Sequence, residues 1–306
     1  MQMPKEIVVR IHGGLGNIMF EYALGRYLSI KYGSPLSFDV SLCKTNPLGD
    51  YSLALEAFHI DIEKHLVSSG TLKRFEHYRR RHGRRWFLYN MLFADADRYV
   101  AERYFHFDPT ILEKQPPLYL AGWWQSEKYF KGIRSTLIDD FTVRAPLEGR
   151  NKEVADHMRS TNSVSIHIRR LDYVTNAHTR SYHGELSKRY YEEAIARIQT
   201  LVPEPTFFVF SDDIPSVKGA FSFPEGTTYI DWNGDLPHED IRLMSLCKHN
   251  IIANSTLGWW GAWLNQNEKK TVIAPAQWFA EGSTKNDDRD IVPSEWLRVP
   301  SYFFQD

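Results

Sequence analysis

The sequence predicts an α/β protein made of two Rossmann-like halves that face each other across a cleft. A short apolar strand, a glycine loop and a helix open the chain within residues 7–30, and an alternation of strands and helices restarts after residue 151. Such alternation is typical of a doubly wound parallel sheet. A length of 306 residues suffices for two domains of ordinary size. We therefore predict domains at residues 1–150 and 151–306.

The first half begins with a β-loop-α-β unit. The apolar run Ile7–Ile11 predicts a strand, and residues 12–17 predict a tight glycine loop. From Ile18 to Ile30, apolar residues recur on one helical face, which predicts an amphipathic helix. The run Leu36–Asp39 then predicts a second strand.

The middle of the chain is rich in aromatic residues, and from about 61 to 120 its pattern predicts mostly helix. This segment contains a basic run at 73–85. Such a run forms a solvated helix face, or it contacts an anionic partner such as a membrane surface or an anionic acceptor. A peripheral contact with the inner face of a membrane is therefore one interpretation of this run.

The second half alternates strands and helices in a regular order. The predicted strands are 163–168, 206–210, 250–253 and 271–274, and the predicted helices are 187–201, 239–247 and the segment after 256. Strands that alternate with helices form parallel sheets, because each crossover needs a helix. The same half carries most of the polar residues that follow strands.

The composition excludes several classes of protein. A net charge of −1 argues against a nucleic-acid binder that depends on a global basic field. The two cysteines, Cys43 and Cys247, form no recognisable disulfide framework or zinc motif, which fits a reducing compartment. No apolar run is long enough for a signal h-region or a membrane span. We therefore expect a cytoplasmic protein.

Two adjacent arginines follow a predicted buried strand. Arg169 and Arg170 come directly after the strand 163–168, and ligands of open α/β sheets bind outside the carboxyl ends of the strands. Guanidinium groups suit a phosphate or diphosphate because they offer planar, bidentate donors and stay charged. The alternative interpretation is a surface ion pair with Asp172.

Two further strand ends should meet the arginines at one place. Asn254, Ser255 and Thr256 begin a helix, where backbone N–H groups and the helix dipole favour an anion, although a hydroxyl residue there is also an ordinary N-cap. Asp212 and Asp213 repel phosphate and suit guanine or ribose hydroxyls. They are alternatively a turn with an Asx cap, and two adjacent carboxylates are weak support for a metal site.

The glycine loop after the first strand invites a dinucleotide-binding interpretation, with Asp39 as the acidic partner. Counted from Gly14 and Gly16, however, the third glycine position holds Met19, which is too large for close packing of helix against strand. A loop that lets an extended ligand approach the backbone, with Asn17 as a donor, fits better. We expect this loop to face the second half.

Six blocks of the sequence, in order, resemble the bacterial α-1,2-fucosyltransferases of glycosyltransferase family 11. The blocks are Gly13–Ala23, His167–Tyr173, Phe210–Asp213, Leu243–Ser255, Trp259–Trp263 and Val272–Phe279. The resemblance implies a GT-B fold and an inverting, metal-independent transfer without a cofactor. It also implies GDP-β-L-fucose as the donor and a terminal galactose 2-hydroxyl, in an oligosaccharide or a lipid-linked glycan, as the acceptor.

The resemblance also implies roles for individual residues. These are Arg169 at the β-phosphate, His167 and Asp213 near the nucleoside, Ser255 and Thr256 at the diphosphate, and Asn17 and Gly16 beside the reaction centre. The chain departs from the family pattern at His12, Ile18, Glu21 and Leu257–Gly258. His12, Gly14 and Glu21 belong to the side on which the acceptor is expected, so these departures concern acceptor identity more than donor or chemistry.

Inverting transfer requires the acceptor hydroxyl to attack opposite the departing GDP. Arg169 and the helix start are expected to stabilise the charge that develops on the leaving β-phosphate. A general base would help the poor sugar nucleophile, with Asp172 as the first candidate and Glu21 and His12 as weaker ones. A transition state close to an oxocarbenium ion would need no strong base.

Three alternative functions stay open. One is a glycosyltransferase of the same fold with another nucleotide sugar or acceptor, and a second is an NAD-dependent oxidoreductase that uses the first glycine loop. The third is a non-catalytic glycan-binding module. Its aromatic surface would come from Trp123, Trp124, Trp259, Trp260 and Trp263, which are equally suited to filling a core.

Overall fold

A computed structural model describes residues 5–43, 51–79, 98–170, 184–280 and 287–304, with the side chains of 51–53, 74 and 76–79 left out. The contacts divide the chain into two compact units, Met1–Thr142 and Val143–Asp306. Each unit has its own sheet. The roles predicted for the two halves, acceptor side and donor side, stay predictions.

The first unit is built on a parallel sheet. Its described strands are β1 (Ile7–Arg10), β2 (Leu36–Asp39), β3 (Tyr99–Ala101) and β4 (Leu118–Ala121), in the order β2-β1-β4-β3. Each neighbouring pair is parallel. Because β2 lies on one side of β1 and β4 on the other, the order reverses between β1 and β4. Open sheets of this kind bind ligands at such a reversal.

The prediction of mostly helix for residues 61–120 is wrong at β3 and β4. Both strands are short, and neither the sequence Tyr-Val-Ala nor Leu-Tyr-Leu-Ala carries a recognisable period. Their pairing with each other and with β1 decides their conformation. A run of residues this short takes its structure from its neighbours in the sheet.

The helices of the first unit include α1 (Leu15–Tyr32), α2 (Ser69–Arg79) and α3 (Arg134–Asp140). Helix α1 begins inside the predicted glycine loop and ends at Gly33, whose left-handed φ of 59° closes the helix. No described helix is long and apolar enough to cross a membrane. The basic run 73–85 lies partly in α2 and partly outside the described residues, and its contact with a membrane stays a prediction.

The second unit contains a larger parallel sheet. Its described strands are β5 (Asn162–Ile168), β6 (Pro205–Ser211), β7 (Thr228–Ile230), β8 (His249–Ile251), β9 (Val272–Pro275) and β10 (Leu297–Val299). Their order is β10-β9-β8-β5-β6-β7. Read along the chain, this is the order 3-2-1-4-5-6 of the Rossmann fold, and it reverses between β5 and β8. The four strands predicted for this half are confirmed, whereas β7 and β10 were not predicted.

The second unit packs helices against this sheet. They are α4 (Gly149–Ser160), α5 (Lys188–Leu201), α6 (Ile214–Ala220), α7 (Pro237–Leu246) and α8 (Thr256–Leu264). The apolar face of α5, with Tyr190 and Ile198, shares a core with Val164 and Ile166 of β5. This packing leaves the carboxyl ends of the strands to the loops that follow them.

The tryptophans of α8 belong to the core. Trp259, Trp260 and Trp263 are buried, and Trp259 Nε1 donates a hydrogen bond of 2.8 Å to the Ile291 carbonyl. Trp124 of the first unit is buried as well. Of the aromatic residues considered for glycan binding, only Trp123 keeps part of its surface accessible.

Candidate functional site

The carboxyl ends of β5, β6 and β8 carry polar residues, and the strand order places these ends side by side. Arg169 and Arg170 follow β5, Asp212 and Asp213 follow β6, and residues 254–256 follow β8. Because β5 is hydrogen-bonded to both β6 and β8, the three groups meet at one edge of the sheet. The structure thus brings the predicted residues together at the switch point of the second unit.

Arg169 is held by a carboxylate, which is Asp212. Asp212 Oδ2 lies 3.2 Å from Arg169 Nε, and 29% of the Arg169 side chain is exposed. Asp212 Oδ1 accepts a hydrogen bond of 2.8 Å from the backbone N–H of Arg170. Asp212 therefore fixes both the turn after β5 and the direction of one guanidinium group. Asp172, the predicted ion-pair partner and first candidate base, lies outside the described residues.

Arg170 has a different environment from its neighbour. Its Nη1 lies 3.3 Å from Glu185 Oε1, with only 14% and 10% of the two side chains exposed. Its guanidinium carbon lies 5.6 Å from the centre of the Phe221 ring, within the range of a cation–π contact. Arg170 therefore ties two loops together. Glu185 was not predicted, because the residues around it carry no pattern that links them to β5.

The second carboxylate after β6 caps a helix. Asp213 Oδ1 accepts a hydrogen bond of 3.0 Å from the Ser216 N–H at the start of α6. Ser211 Oγ accepts one of 3.1 Å from the Asp213 N–H. This is the Asx cap that was the alternative interpretation. Both carboxylates therefore already have partners within the protein, and a contact of either with guanine or ribose would use their remaining lone pairs.

The start of α8 differs from an ordinary capped helix. Ser255 occupies the N-cap position, yet its side chain makes no capping hydrogen bond. Asn254 Nδ2 instead donates to the carbonyls of Gly184 and Trp278, at 3.1 Å each, and fixes the turn between β8 and α8. Ser255 and Thr256 are partly exposed. The hydroxyl groups and helix start therefore suit an anion next to Arg169.

His167 lies below this turn and is buried. Burial, and next the charge of Arg169, lower the pKa of His167 to about 3, so its imidazole is neutral at neutral pH. A Cβ atom added to Gly258 would lie 2.8 Å from His167 Nδ1. The absence of a side chain at Gly258 therefore makes room for the imidazole beneath the first turn of α8. A contact of His167 with the nucleoside stays a prediction.

A second group of polar residues lies at the switch point of the first unit. His12 comes just after β1 and Trp123 just after β4, and their rings stack with centroids 3.9 Å apart. Gly13 adopts a left-handed φ of 81°, and a Cβ atom there would lie 2.9 Å from the Trp123 ring. Only glycine therefore suits this position. At Gly14, the N-cap of α1, an added Cβ would meet no heavy atom within 4 Å.

Glu21 of α1 is fully buried beneath His12. Its Oε2 accepts a hydrogen bond of 3.0 Å from the His12 backbone N–H, and its Oε1 contacts His12 Nδ1. Burial raises the pKa of Glu21, although the His12 N–H and the charge of Arg10 oppose this. Burial, and next the charge of Arg10, lower the pKa of His12 to about 4. The sequence suggested both residues but not their contact.

Two side chains that were not predicted complete this group. Glu102 accepts hydrogen bonds from the backbone N–H groups of Trp123 and Trp124, at 2.7 and 3.0 Å. Gln125 Nε2 donates to Asn17 Oδ1 at 2.9 Å. Burial raises the pKa of Glu102 to about 7, and the two N–H groups oppose the shift. These residues follow strands that the sequence pattern did not show.

The dinucleotide interpretation of the first glycine loop required Asp39 as an acidic partner for the ribose. Asp39 is buried, and its Oδ2 accepts a hydrogen bond of 2.6 Å from the Tyr119 hydroxyl. Its Oδ1 accepts one of 3.0 Å from the Ser41 N–H. With 1% of its surface exposed, Asp39 is not accessible to a ribose diol. Gly16 lies buried in the first turn of α1, and Met19 is buried as well.

The sequence matches glycosyl transferase family 11 over residues 73–299. An α-1,2-colitosyltransferase of Escherichia coli is 33% identical over 96% of this chain and 98% of that protein. A galactoside 2-α-L-fucosyltransferase of Mus musculus, Sec1, is 27% identical over 86% of this chain and 66% of that protein.

The fold is similar to that of a solved structure, and the alignment covers most of both chains. The NodZ α-1,6-fucosyltransferase of Bradyrhizobium aligns with a TM-score of 0.51 over 86% of this chain and 93% of that chain, at 13% sequence identity. The likeness confirms an α/β fold of the GT-B type. The family is shown by the sequence match over residues 73–299, which spans most of the chain, and by the 33% identity to the colitosyltransferase. This chain belongs to glycosyl transferase family 11.

Proposed function

We propose that this protein transfers L-fucose from GDP-β-L-fucose to the 2-hydroxyl of a terminal galactose in a glycan. The transfer inverts the anomeric centre and needs no metal ion. The observation that carries the proposal is that Arg169 and the start of α8 follow β5 and β8, the two paired strands at the reversal of a Rossmann-ordered sheet. Kinship with a galactoside 2-α-L-fucosyltransferase supports the sugar and the linkage.

The donor side is supported by its charges and donors. Arg169 is partly exposed and its direction is set by Asp212. Ser255 leaves the first N–H groups of α8 without a side-chain cap. A diphosphate between these groups would receive charge-assisted hydrogen bonds from one side and helix-terminal N–H groups from the other. The same donors would stabilise the charge that GDP gains as it departs.

Product analysis tests the proposal directly. The purified protein would be incubated with GDP-fucose and a panel of galactosides, with and without EDTA, and the product linkage determined by NMR. We expect an α-1,2-fucosylated galactoside in both cases. GDP should raise the unfolding temperature more than UDP or ADP at equal concentration, because ligand binding to the native state stabilises it. Another linkage, or complete loss of activity with EDTA, would contradict the proposal.

Two arginine variants make the test specific to the site. R169A removes a donor to the leaving phosphate and should lower kcat by about 100-fold or more. R159A is the matched control, because Arg159 also pairs with an aspartate, Asp156 at 2.9 Å, but lies exposed on α4. Its kcat should stay unchanged. Equal activities for R169A and wild type would show that Arg169 does not hold the leaving group.

A second candidate function is colitosyl transfer with the same geometry. It is favoured by the 33% identity to an α-1,2-colitosyltransferase over nearly the whole chain. Colitose is fucose without its 3-hydroxyl, so the two donors would use the same phosphate groups and differ only at one sugar contact. Competition between GDP-fucose and GDP-colitose for one acceptor, read as a ratio of kcat/KM values, separates the two functions.

A further inference from the structure

We propose that His12 is the general base that removes the proton from the acceptor hydroxyl, and that Glu21 is the positioning residue that orients its imidazole. This inference rests on the proposed glycosyl transfer. The residues that carry it lie in the first unit, whereas the donor residues lie in the second. It assigns to the first unit a chemical step for which the first candidate from the sequence was Asp172.

The geometry separates the two nitrogens of His12. Nδ1 contacts the buried Glu21 carboxyl, and the His12 backbone N–H donates to the same group at 3.0 Å. Nε2 is not among the enclosed polar atoms that lack a partner, and the Arg10 backbone also forms a hydrogen bond with the imidazole. About 17% of the side chain is exposed. One nitrogen is therefore fixed by the protein and the other is left open to a ligand.

The surroundings of Nε2 suit a sugar. The imidazole stacks on Trp123, which is partly exposed and follows β4 at the switch point of the first unit. Gln125 Oε1 is buried without a partner among the described residues, while its Nε2 is held by Asn17 at 2.9 Å. A buried acceptor without a donor destabilises the folded protein, and a ligand hydroxyl that donates to Gln125 Oε1 would remove this cost. Aromatic surface and hydroxyl acceptors together are suited to a glycan.

A purely structural pair would look different. A histidine that serves only to satisfy a buried carboxylate needs one ring nitrogen for that contact and no aromatic or amide groups around the other. Here the carboxylate is completely buried and the imidazole lies between it and the accessible surface. Buried carboxylates hold catalytic imidazoles in this way, by fixing one tautomer and one ring orientation.

Two charged groups, Arg10 and Glu102, act on the pair from the described elements around it. The charge of Arg10, at the end of β1, lowers the pKa of both His12 and Glu21, although the Arg10 backbone raises the pKa of His12. The charge therefore favours a pair with a neutral imidazole and an ionised carboxylate. Glu102, beyond β3, and the burial of Glu21 raise the pKa of Glu21 and oppose this state. The base-competent form should therefore increase as pH rises, because it has lost one proton.

The proposed step balances as follows. His12 Nε2 takes the proton of the acceptor hydroxyl while that oxygen forms a bond to the anomeric carbon. The bond from the anomeric carbon to the β-phosphate oxygen breaks, and its electron pair leaves on GDP. The imidazolium gives its proton to solvent after the glycoside departs, so no oxidant, metal or further reactant is needed.

The kinetic test compares three variants. H12N keeps a side-chain N–H that reaches Glu21 but removes Nε2, and it should lower kcat by about 100-fold or more. E21Q should lower kcat by a smaller factor with little change in KM. Both should flatten the rise of kcat with pH. H59N, at an exposed histidine of the same unit, is the control and should behave as wild type. H12N with more than a third of the wild-type kcat would overturn the proposal.

A spectroscopic test does not depend on donor or acceptor. In protein labelled with ¹⁵N-histidine, the signal lost in H12N identifies His12 among the 12 histidines of the chain. Its nitrogen shifts should show hydrogen on Nδ1 and a free lone pair on Nε2 at the pH of maximal activity. Hydrogen on Nε2 there would overturn the proposal. If the wild-type protein transferred nothing from GDP-fucose, the proposed function would be contradicted. The nitrogen shifts would then still show which ring nitrogen of His12 carries the hydrogen.

Discussion

At the scale of single residues, two side chains that follow the same strand can have different roles. Arg169 and Arg170 are neighbours, yet one is partly exposed beside Asp212 and the other is enclosed by Glu185 and Phe221. The sequence predicted where both would lie, because both directly follow the strand that its alternating pattern indicated. It could not distinguish them, because the distinction comes from Glu185, which is distant in the sequence.

Glu21 is the residue at which stability and the proposed chemistry conflict. Its pKa is raised by burial, so the folded state prefers the protonated carboxyl. The stabilising effect is complete below the unfolded value of about 4.3 and is lost as pH rises towards the folded pKa. An ionised Glu21, which the base-competent pair requires, therefore reduces the free energy of unfolding.

E21Q should consequently be more stable than wild type at high pH. Glutamine can accept from the His12 N–H and donate to Nδ1, as the protonated carboxyl does, but it does not ionise. The gain in unfolding temperature over wild type should be small at pH 5 and should increase steadily to pH 9. Thermal unfolding followed by circular dichroism measures it. A gain that is independent of pH would mean that Glu21 does not ionise in this range.

At the scale of elements, close packing sets the position of α1 on its sheet. A Cβ atom added to Gly25 would lie 2.4 Å from Val9 Cγ2 on β1 and 2.8 Å from Leu36 Cδ1 on β2. Helix and strands therefore approach as closely as glycine allows. This contact fixes the start of α1, which carries Asn17 and Glu21, relative to the end of β1, which carries His12.

G25A should therefore destabilise the protein by about 1–3 kcal/mol, because the added methyl group has no space. G219A is the matched control in helix α6, where an added Cβ meets no heavy atom within 4 Å. It should be neutral or stabilising by up to about 1 kcal/mol, since alanine favours helix. Urea unfolding of both variants measures whether each substitution lowers or raises the free energy of unfolding. Equal effects would mean that packing at Gly25 is not limiting.

The sequence predicted the longer elements from their period, and it predicted the short strands β1, β2, β8 and β9 from apolar runs. β1, β2, α1, β5, β6, α5 and β9 were predicted nearly at their observed bounds. β3, β4, β7 and β10 were missed; each has only three or four residues, and pairing with neighbouring strands stabilises their conformation. The missed strands explain the missed site residues. Glu102 follows β3, and Trp123 and Gln125 follow β4, so nothing in the sequence placed them beside His12.

At the scale of the whole molecule, each unit has its own switch point with its own chemistry. The second unit places a guanidinium group and an uncapped helix start at the reversal between β5 and β8. The first unit places an imidazole, a tryptophan and a buried carboxyl at the reversal between β1 and β4. Cationic groups suit the nucleotide, and aromatic and amide groups suit the sugar acceptor. This division is what the proposed transfer requires.

Hydrogen exchange on the intact chain should separate the two sites. GDP alone should slow amide exchange several-fold in peptides that contain residues 169–170 and 254–258, since a diphosphate there would bond to backbone N–H groups at the start of α8. Peptides covering β2 (36–39) should not change. R169A should weaken the protection at equal GDP concentration, whereas R159A should not. Protection centred on the glycine loop, with none at residues 254–258, would instead place the nucleotide on the first unit and contradict the assignment of the donor to the second.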